Sequence, residues 1–248
     1  MIERIALITD LHISYEEKYP FGIDTINNFN KVIEAIDTKA YNHLIVAGDL
    51  CFRNVESKVY EKVFSTLNSI GIPFSIVPGN HDDSKDMAKV FGLNTLVNEI
   101  YYRKIICGKV FLFLDTSRGE MSERQWDWFK QELMRFRNAV SDIFIVMHHP
   151  PIYGDSLHMD IPYGFKQMDV FKSVIKEYAN KNKIYVFCGH YHLERYLSIE
   201  NIHVFISPSL LVQIDPKSEK FNILTKRIAF REISFGPDGY FNTSVFYI

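Results

Sequence analysis

The chain predicts an α/β layered fold, on three observations. Short apolar runs alternate with stretches of helical periodicity along most of its 248 residues. Nearly all of the runs are apolar on both faces and rich in β-branched residues, as in strands covered on both sides. The length lies near the upper end of what one hydrophobic core supports, so a single domain spanning 1–248 is expected.

The elements follow in order. RIALITD (4–10) reads as a strand, and DTINNFNKVIEAID (24–37), with apolar residues three and four apart, as a helix. HLIVAGD (43–49) is the next strand; SKVYEKVFSTLNSIG (57–71) is a helix that Gly71 and Pro73 should stop. FSIVPGN (74–80) and VFLFLDT (110–116) are strands. SERQWDWFKQELMRFR (122–137) is a helix whose start, Ser122 followed by Gln125, reads as a capping box, with Trp126, Trp128 and Phe129 as packing residues. DIFIVMHH (142–149) is a strand, QMDVFKSVIKEYANK (167–181) a helix, and IYVFCGH (184–190) and HVFISPS (203–209) are strands. KRIAFREISF, GPDG and YFNTSVFYI form a C-terminal β-hairpin at about 226–248. Pro150 to Gln167 has no period and is read as a loop positioned to close over a site.

Composition narrows the function classes. With 47% hydrophobic and 23% charged residues the chain is of ordinary globular make-up, and its apolar runs are strand-sized, so no membrane span is expected. A net charge of -2 and a pI near 6.5 give no basic field for long nucleic acid. MIERIALITD lacks the core and cleavage site of a signal peptide, and Cys51, Cys107 and Cys188 are too few and scattered for a disulfide framework or a thiolate metal site. Cytoplasmic localisation is the expectation, with a homodimer left open.

Five of the apolar runs end in metal-capable residues: Asp10 and His12; Asp49; Asn80 and His81; His148 and His149; His190 and His192. Ligands of α/β sheets bind outside the carboxyl ends of strands, where residues distant in sequence converge. Gly48, Gly79 and Gly189 each precede one of these residues, where a turn or close backbone approach is useful. Residues two apart at a strand end can face one side, so Asp10 can pair with His12, and His190 with His192. Carboxylate, imidazole and amide oxygen without thiolate suit Mn, Fe or Zn. Seven of these nine residues, taken as ligands, are too many for one tetrahedral zinc and suit two divalent metal ions roughly 3.5 to 4 Å apart. Only Asp10 and Asp49 among them carry formal charge, so such a centre stays positive and favours an anionic phosphoryl group. Taken singly, Asp10 or Asp49 reads as a helix N-cap, Asn80 as a turn residue and either late histidine as a hydrogen-bonded core residue. Their joint occurrence at five strand ends argues for the site.

The ordered motifs D-x-H, G-D, G-N-H-D, H-H-P-P and G-H-x-H resemble those of the calcineurin-like metallophosphoesterase superfamily. ITDLH, GIDTINNFNKVIEAI leading to GDL, GEMSERQWDWF, HHPP and SPSLLVQIDP are similar more narrowly to the bacterial class III 3′,5′-cyclic nucleotide phosphodiesterase branch. The resemblance implies a four-layer α/β/β/α sandwich of two mixed sheets, the metallo-dependent phosphatase fold. It implies that Asp10, His12 and His192 hold one ion, that Asn80, His148 and His190 hold the second, and that Asp49 bridges them. His148 rather than His149 is taken as the ligand. His81 would face the substrate and stabilise or protonate the leaving oxygen, with Asp82 orienting it. Members acting on cyclic nucleotides carry an L-x-N element after HHPP, and here FKQ places Gln167 at the Asn position.

The implied activity is phosphodiester hydrolysis of a small substrate, 3′,5′-cyclic AMP being the first candidate, through a hydroxide bridging the two ions. Hydrolysis of nucleotide-linked diphosphates or phosphomonoesters is the alternative within enzymes, and a non-catalytic interaction scaffold the alternative outside them. His43 and His203, at strand starts, are expected at surface or satisfied core positions, and Cys51 as a small buried hydrophobe. Tyr153, His158 and Tyr163, in the 150–167 loop, are expected either to contact substrate or to be exposed.

Overall fold

The structure is a computed structural model and describes residues 1–36, 40–93, 95, 97–137 and 142–248. In chain order the elements are β1 Glu3–Ile8, α1 Thr25–Ala35, β2 His43–Ala47, α2 Ser57–Ser69, β3 Phe74–Val77, α3 Ser84–Phe91, β4 Tyr102–Ile106 and β5 Lys109–Phe113. There follow α4 Glu123–Phe136, β6 Ile143–Val146, α5 Met168–Tyr178, β7 Ile184–Cys188, β8 Arg195–Ile199 and β9 Ile202–Ile206. The last are β10 Gln213–Ile214, β11 Ile223–Thr225, β12 Ala229–Phe235 and β13 Phe241–Tyr247.

Two mixed sheets carry the molecule, a five-stranded one in the order β13-β12-β1-β2-β3 and a six-stranded one in the order β4-β5-β6-β7-β9-β8. The central strands β1, β2 and β3 are parallel, as are β5, β6, β7 and β9, while β12, β13, β4 and β8 run antiparallel to their neighbours. Strand alternation explains why both faces are apolar. Ile5 and Leu7 of β1 point to the core between the sheets, while Ala6 and Ile8 point to the helices. Phe29, Val32, Val59, Val63 and Met87 bring α1, α2 and α3 onto the outside of the five-stranded sheet. Phe129, Leu133, Phe171 and Ile175 do the same for α4 and α5 on the six-stranded sheet. These layers make the expected α/β/β/α sandwich.

The central layer is dominated by phenylalanine. Phe111 and Phe144 stack with centroids 5.1 Å apart, and Phe187 and Phe205 at 5.2 Å, against Ile5, Ile45 and Val77 of the facing sheet. Each such buried side chain contributes roughly 1.5–3 kcal/mol relative to exposure, so this layer fixes how the strand ends of one sheet lie over those of the other.

Several elements depart from the sequence reading. The five strands leading to the site stop two or more residues short of their polar residues, which therefore lie on the loops that follow. The helix expected over 24–37 ends at Ala35, and Asp37 lies outside the described residues. Edge strands β4 and β8, with all of their residues but Ile106 exposed or partly exposed, lack the two-sided apolar pattern that identifies the central ones. Helix α3 has eight residues, too few to show a period, although Asp83 caps it by accepting from Asp86 N at 2.8 Å. The capping box at α4 is only half formed: Ser122 Oγ accepts from Gln125 N, but Gln125 turns inward and bonds both backbone groups of Asp115 at 2.8 Å. The C-terminal hairpin is present and pairs Ala229 with Tyr247 through Phe235 with Phe241, and it joins the five-stranded sheet through β1. Among the described residues no helix is long and apolar enough to cross a membrane.

The residues expected to be ordinary structural ones are so placed. Trp126 and Phe129 are buried and Trp128 half-buried; His203 pairs with the Tyr196 hydroxyl at 2.9 Å; Cys51 is buried and burial pushes its thiol up to about 12. His43 is buried against Ser75 Oγ at 2.9 Å, and burial, followed by repulsion from Lys104, brings its pKa down to about 4. The unfolded chain therefore binds a proton near pH 6.5 that the folded one binds only near pH 4, so His43 costs stability progressively as pH falls through that interval. In urea titrations, His43→Gln is expected to lose less stability than the parent between pH 7 and pH 5, by on the order of 1 kcal/mol. Parallel losses in the two proteins would contradict the assignment.

Candidate metal centre

The site forms where the carboxyl ends of β1, β2 and β3 meet those of β6 and β7. Beyond the two strands themselves, β1 and β2 stay paired: Asp10 N donates to Gly48 O at 3.0 Å, His12 N to Asp49 O at 3.0 Å and Ile13 N to Leu50 O at 2.8 Å. Along these loops the backbone is left-handed at Asp10 (φ 54°), His12 (46°), Asp49 (53°), His190 (68°) and His192 (49°). Aspartate and histidine tolerate this region better than most residues, yet it costs about 1 kcal/mol or more at each position.

Glycine before these residues answers to space. A Cβ on Gly79 would run into the Asp49 carboxylate, and one on Gly189 into Thr9 Oγ1 and Asp10 Oδ2. Without side chains there, His190 N approaches to donate to both Asp10 oxygens at 3.1 and 3.0 Å.

Two wholly buried groups of three residues result, and a third group, His12, Asp49 and half-buried His81, overlaps both. Ligand atoms of Asp10, His12 and His192 lie within 4.8 Å of one another, and so do those of Asp49, His148 and His190; all six residues are buried. Asp49 Oδ2 is 3.6 Å from His12 Nε2 and 3.2 Å from His148 Nε2, so one carboxylate borders both groups. Asp10 and His12 thus fall together as their spacing suggests, whereas the left-handed turn at Gly189–His192 sends His190 and His192 to different groups.

The imidazole tautomers are set by backbone carbonyls, which only accept. His12 Nδ1–H points to Cys51 O (3.3 Å), His148 Nδ1–H to Ala47 O (2.8 Å), His192 Nδ1–H to Val212 O (3.0 Å) and His190 Nε2–H to Tyr163 O (2.8 Å). Each remaining ring nitrogen therefore faces the cluster. Nε2 of His12 and of His192 face each other at 2.9 Å, which demands a proton or cation between them. His148 Nε2 is buried with no well-formed hydrogen bond, the Asp49 carboxylate standing 3.2 Å away. A donor set in this state fits a cation in each group.

The charges follow the same geometry. Burial raises the Asp10 carboxyl, but His192 and then His148 outweigh it and hold it down to about 2; Asp49 is likewise held well below the carboxylate range, by His148 and then His12. Burial lowers His148, but Asp49 beside it raises its pKa to about 9. Burial takes His12 down to about 3 and His190 down to about 4, so both keep their lone pairs free near neutral pH.

The other expected residues fall as follows. Asn80 is exposed and, with half-buried His81, lines a cleft of about 520 Å³ over the two groups. His81 N donates to Asp49 Oδ1 at 2.9 Å, and its ring stands 5.2 Å from that of His12. Asp82, expected to orient His81, has other partners. Among the described residues no hydrogen bond joins the Asp82 carboxylate to the His81 ring; it accepts instead from the backbone N–H groups of Leu50 (3.1 Å), Cys51 (3.2 Å) and Gly79 (2.9 Å), clamping the Asp49 loop to the Asn80 loop. Burial and then the charge of Asp49 raise Asp82 to about 6. His148 lies in the group with Asp49 and His190, while His149 bonds Thr116 Oγ1 at 3.1 Å and packs on His190 at 4.2 Å. Gln167 holds the start of α4, accepting from Met121 N (2.8 Å) and Trp126 Nε1 (3.0 Å). Of the loop residues, His158 and Tyr163 line the cleft and Tyr153 is exposed elsewhere. Sequence reading missed the cleft residues Phe21, Phe52, Arg53 and Phe221, and all four carbonyls that orient the histidines.

The fold is the metallo-dependent phosphatase fold. A dimetal phosphatase from Danio rerio superposes with a TM-score of 0.69 over 98% of both chains, at 11% identity. The calcineurin-like phosphoesterase family model matches residues 3–194, and the chain belongs to that family of phosphoester hydrolases. Among curated relatives, a probable cyclic nucleotide phosphodiesterase of Fibrobacter succinogenes is 29% identical over 98% of this chain and 93% of its own length. The 3′,5′-cyclic adenosine monophosphate phosphodiesterase CpdA of Escherichia coli K12 is 24% identical over 98% of this chain and 88% of its own.

Metal should bind the folded state and stabilise it by mass action, about 2.7 kcal/mol at one hundred times the dissociation constant. Adding Mn²⁺ to chelator-treated protein is expected to raise its melting temperature. Gly189→Ala, which pushes Asp10 aside, is expected to lose most of that rise and most of the manganese retained through gel filtration. Full retention in the variant would contradict the packing argument.

Proposed function

We propose that the protein is a metal-dependent phosphodiesterase that hydrolyses a small phosphodiester, 3′,5′-cyclic AMP being the first substrate. The observation that carries this reading is the split of buried ligands into two groups sharing the border residue Asp49, beneath a cleft large enough for a mononucleotide. The curated relatives named as cyclic nucleotide phosphodiesterases support the substrate.

Asp10, His12 and His192 would hold one cation; Asn80, His148 and His190 the other; Asp49 would touch both. Two divalent ions bound there, Fe, Mn or Zn, supply a nucleophile from water at neutral pH and neutralise charge on the phosphoryl oxygens. The chain's own part is positional and electrostatic. The carbonyls behind His12, His148, His190 and His192 keep each ring in one tautomer and one orientation. Asp82 holds the loops carrying Asp49 and Asn80 at fixed separation. His81, at the cleft and tied through its own N–H to Asp49, faces the ester oxygen that leaves and either donates a proton to it or stabilises its charge. For a cyclic substrate, water adds to phosphorus, the bond to O3′ breaks, and O3′ takes the proton, leaving the 5′-monophosphate.

With manganese-loaded protein, hydrolysis of cyclic AMP and of an aryl diester is expected, lost on chelation and restored by added metal, with the aryl monoester turned over more slowly. His81→Ala is expected to lower kcat on cyclic AMP by about 10²- to 10⁴-fold with metal content unchanged. A preference for the monoester, or turnover that survives chelation, would overturn the reading.

A further inference from the structure

The wall of the cleft is an unbroken run of aromatic contacts attached at both ends to histidines of the metal centre. It starts at His12, whose ring meets Phe52 edge-on at 6.0 Å; Phe52 meets Phe21 edge-on at 6.0 Å; Phe21 stacks on Phe221 at 5.2 Å with 25° between planes. From Phe221 the run continues to His158 at 6.1 Å and to Tyr163 at 5.3 Å, and the Tyr163 carbonyl accepts from His190 Nε2 at 2.8 Å. These residues come from four separate segments: the turn after β1, the loop after β2, the loop after β6 and the connection from β10 to β11. Phe21, Phe221 and Tyr163 remain 39%, 42% and 50% exposed, although large aromatic side chains normally find cover when a fold can provide it.

The collar is held in place without a ligand. Phe21 sits at φ 50° in a tight turn whose carbonyl accepts from Lys226 Nζ at 3.1 Å, beside Phe221 on the same side of the cleft. Phe52 packs into a small buried cluster with Ile23, Leu211 and Val212. A fixed, partly exposed aromatic rim costs little further ordering when a flat ring lies on it.

Charge on the wall is sparse. Arg53 is the one Arg or Lys among the described residues that line the cleft, and it is engaged with Glu17 at 3.3 Å while lying over the Phe52 ring at 4.9 Å. A polynucleotide needs a basic track for successive phosphates, and this cleft offers none beyond the metal centre. One phosphoryl group with one flat ring matches both the polarity and the volume of about 520 Å³.

We infer that the aromatic collar of Phe52, Phe21, Phe221, His158 and Tyr163 is a base-binding site, so that the substrate's organic group is a nucleoside whose base lies on Phe21 and Phe221 while its phosphate meets the metal centre. This rests on the phosphodiesterase reading above and makes the collar its specificity determinant. Stacking of a base on aromatic side chains is worth about 1–3 kcal/mol, a fold-change of roughly 5 to 150 in affinity.

The test compares two ligands that differ by the base alone. Binding of AMP and of ribose 5-phosphate to the manganese-loaded full chain is measured by calorimetry for the parent, Phe221→Ala and Phe221→Trp. Phe221 is part-exposed, so its truncation does not empty the core. The parent is expected to bind AMP at least about tenfold more tightly than ribose 5-phosphate. Phe221→Ala should reduce that ratio severalfold through AMP affinity, leaving ribose 5-phosphate unchanged, and Phe221→Trp should keep it. A parent ratio near one, or a ratio unmoved in Phe221→Ala, overturns the collar even where cyclic AMP is hydrolysed. A base-dependent ratio that collapses in Phe221→Ala, in protein that hydrolyses no cyclic nucleotide, supports the collar and refutes the proposed reaction instead.

Discussion

Four buried imidazoles each give one ring N–H to a backbone carbonyl and turn the other nitrogen toward a shared space, and much of the structure depends on that constraint. At 2.9 Å the inward nitrogens of His12 and His192 cannot both be lone pairs without something positive between them, and His148 Nε2 has the Asp49 carboxylate 3.2 Å away but no well-formed hydrogen bond. Buried polar atoms left unsatisfied cost about 1–3 kcal/mol each. The local backbone adds to that cost, since five positions of the cluster are left-handed, together at least about 5 kcal/mol. This is comparable with the whole net stability of an ordinary domain, about 5–15 kcal/mol.

Such a site persists only on a scaffold that over-determines it. The phenylalanine-rich layer between the sheets fixes one set of strand ends over the other, and the backbone pairing of Asp10 with Gly48 and His12 with Asp49 carries that register past the strands into the loops. Asp82 then joins the two loops on the five-stranded side, while Ser209 Oγ and Leu210 N, both bonded to Asp10 O, hold the third edge from below β9. The clustered carboxylates and imidazoles, the tautomer-setting carbonyls and the aromatic wall are thus successive layers on one frame.

The legibility of this arrangement in the sequence varied with the kind of interaction. Central strands were readable because both their faces are buried, and the cluster of aspartates and histidines was readable because polar residues directly after five apolar runs have few structural duties in common. Edge strands β4 and β8 escaped because solvent on one side removes the two-sided apolar signal, and α3 because eight residues are about two turns. The orienting carbonyls of Ala47, Cys51, Tyr163 and Val212 could not be read, since every residue carries one and only the fold selects which is used. The Asp82 carboxylate meets backbone N–H groups of the neighbouring loops, a contact that the G-N-H-D motif alone does not reveal. Phe21, Phe52 and Phe221 each look like unremarkable apolar residues in sequence, and acquire meaning only through tertiary proximity.

The claim on which the account turns is that this cluster cages two cations rather than one or none. Anomalous diffraction at the manganese edge, on crystals grown with Mn²⁺, tests it directly. The account predicts two peaks roughly 3.5 to 4 Å apart, one against Asp10, His12 and His192, the other against Asn80, His148 and His190, with Asp49 touching both. A single peak, or density away from these side chains, would contradict it.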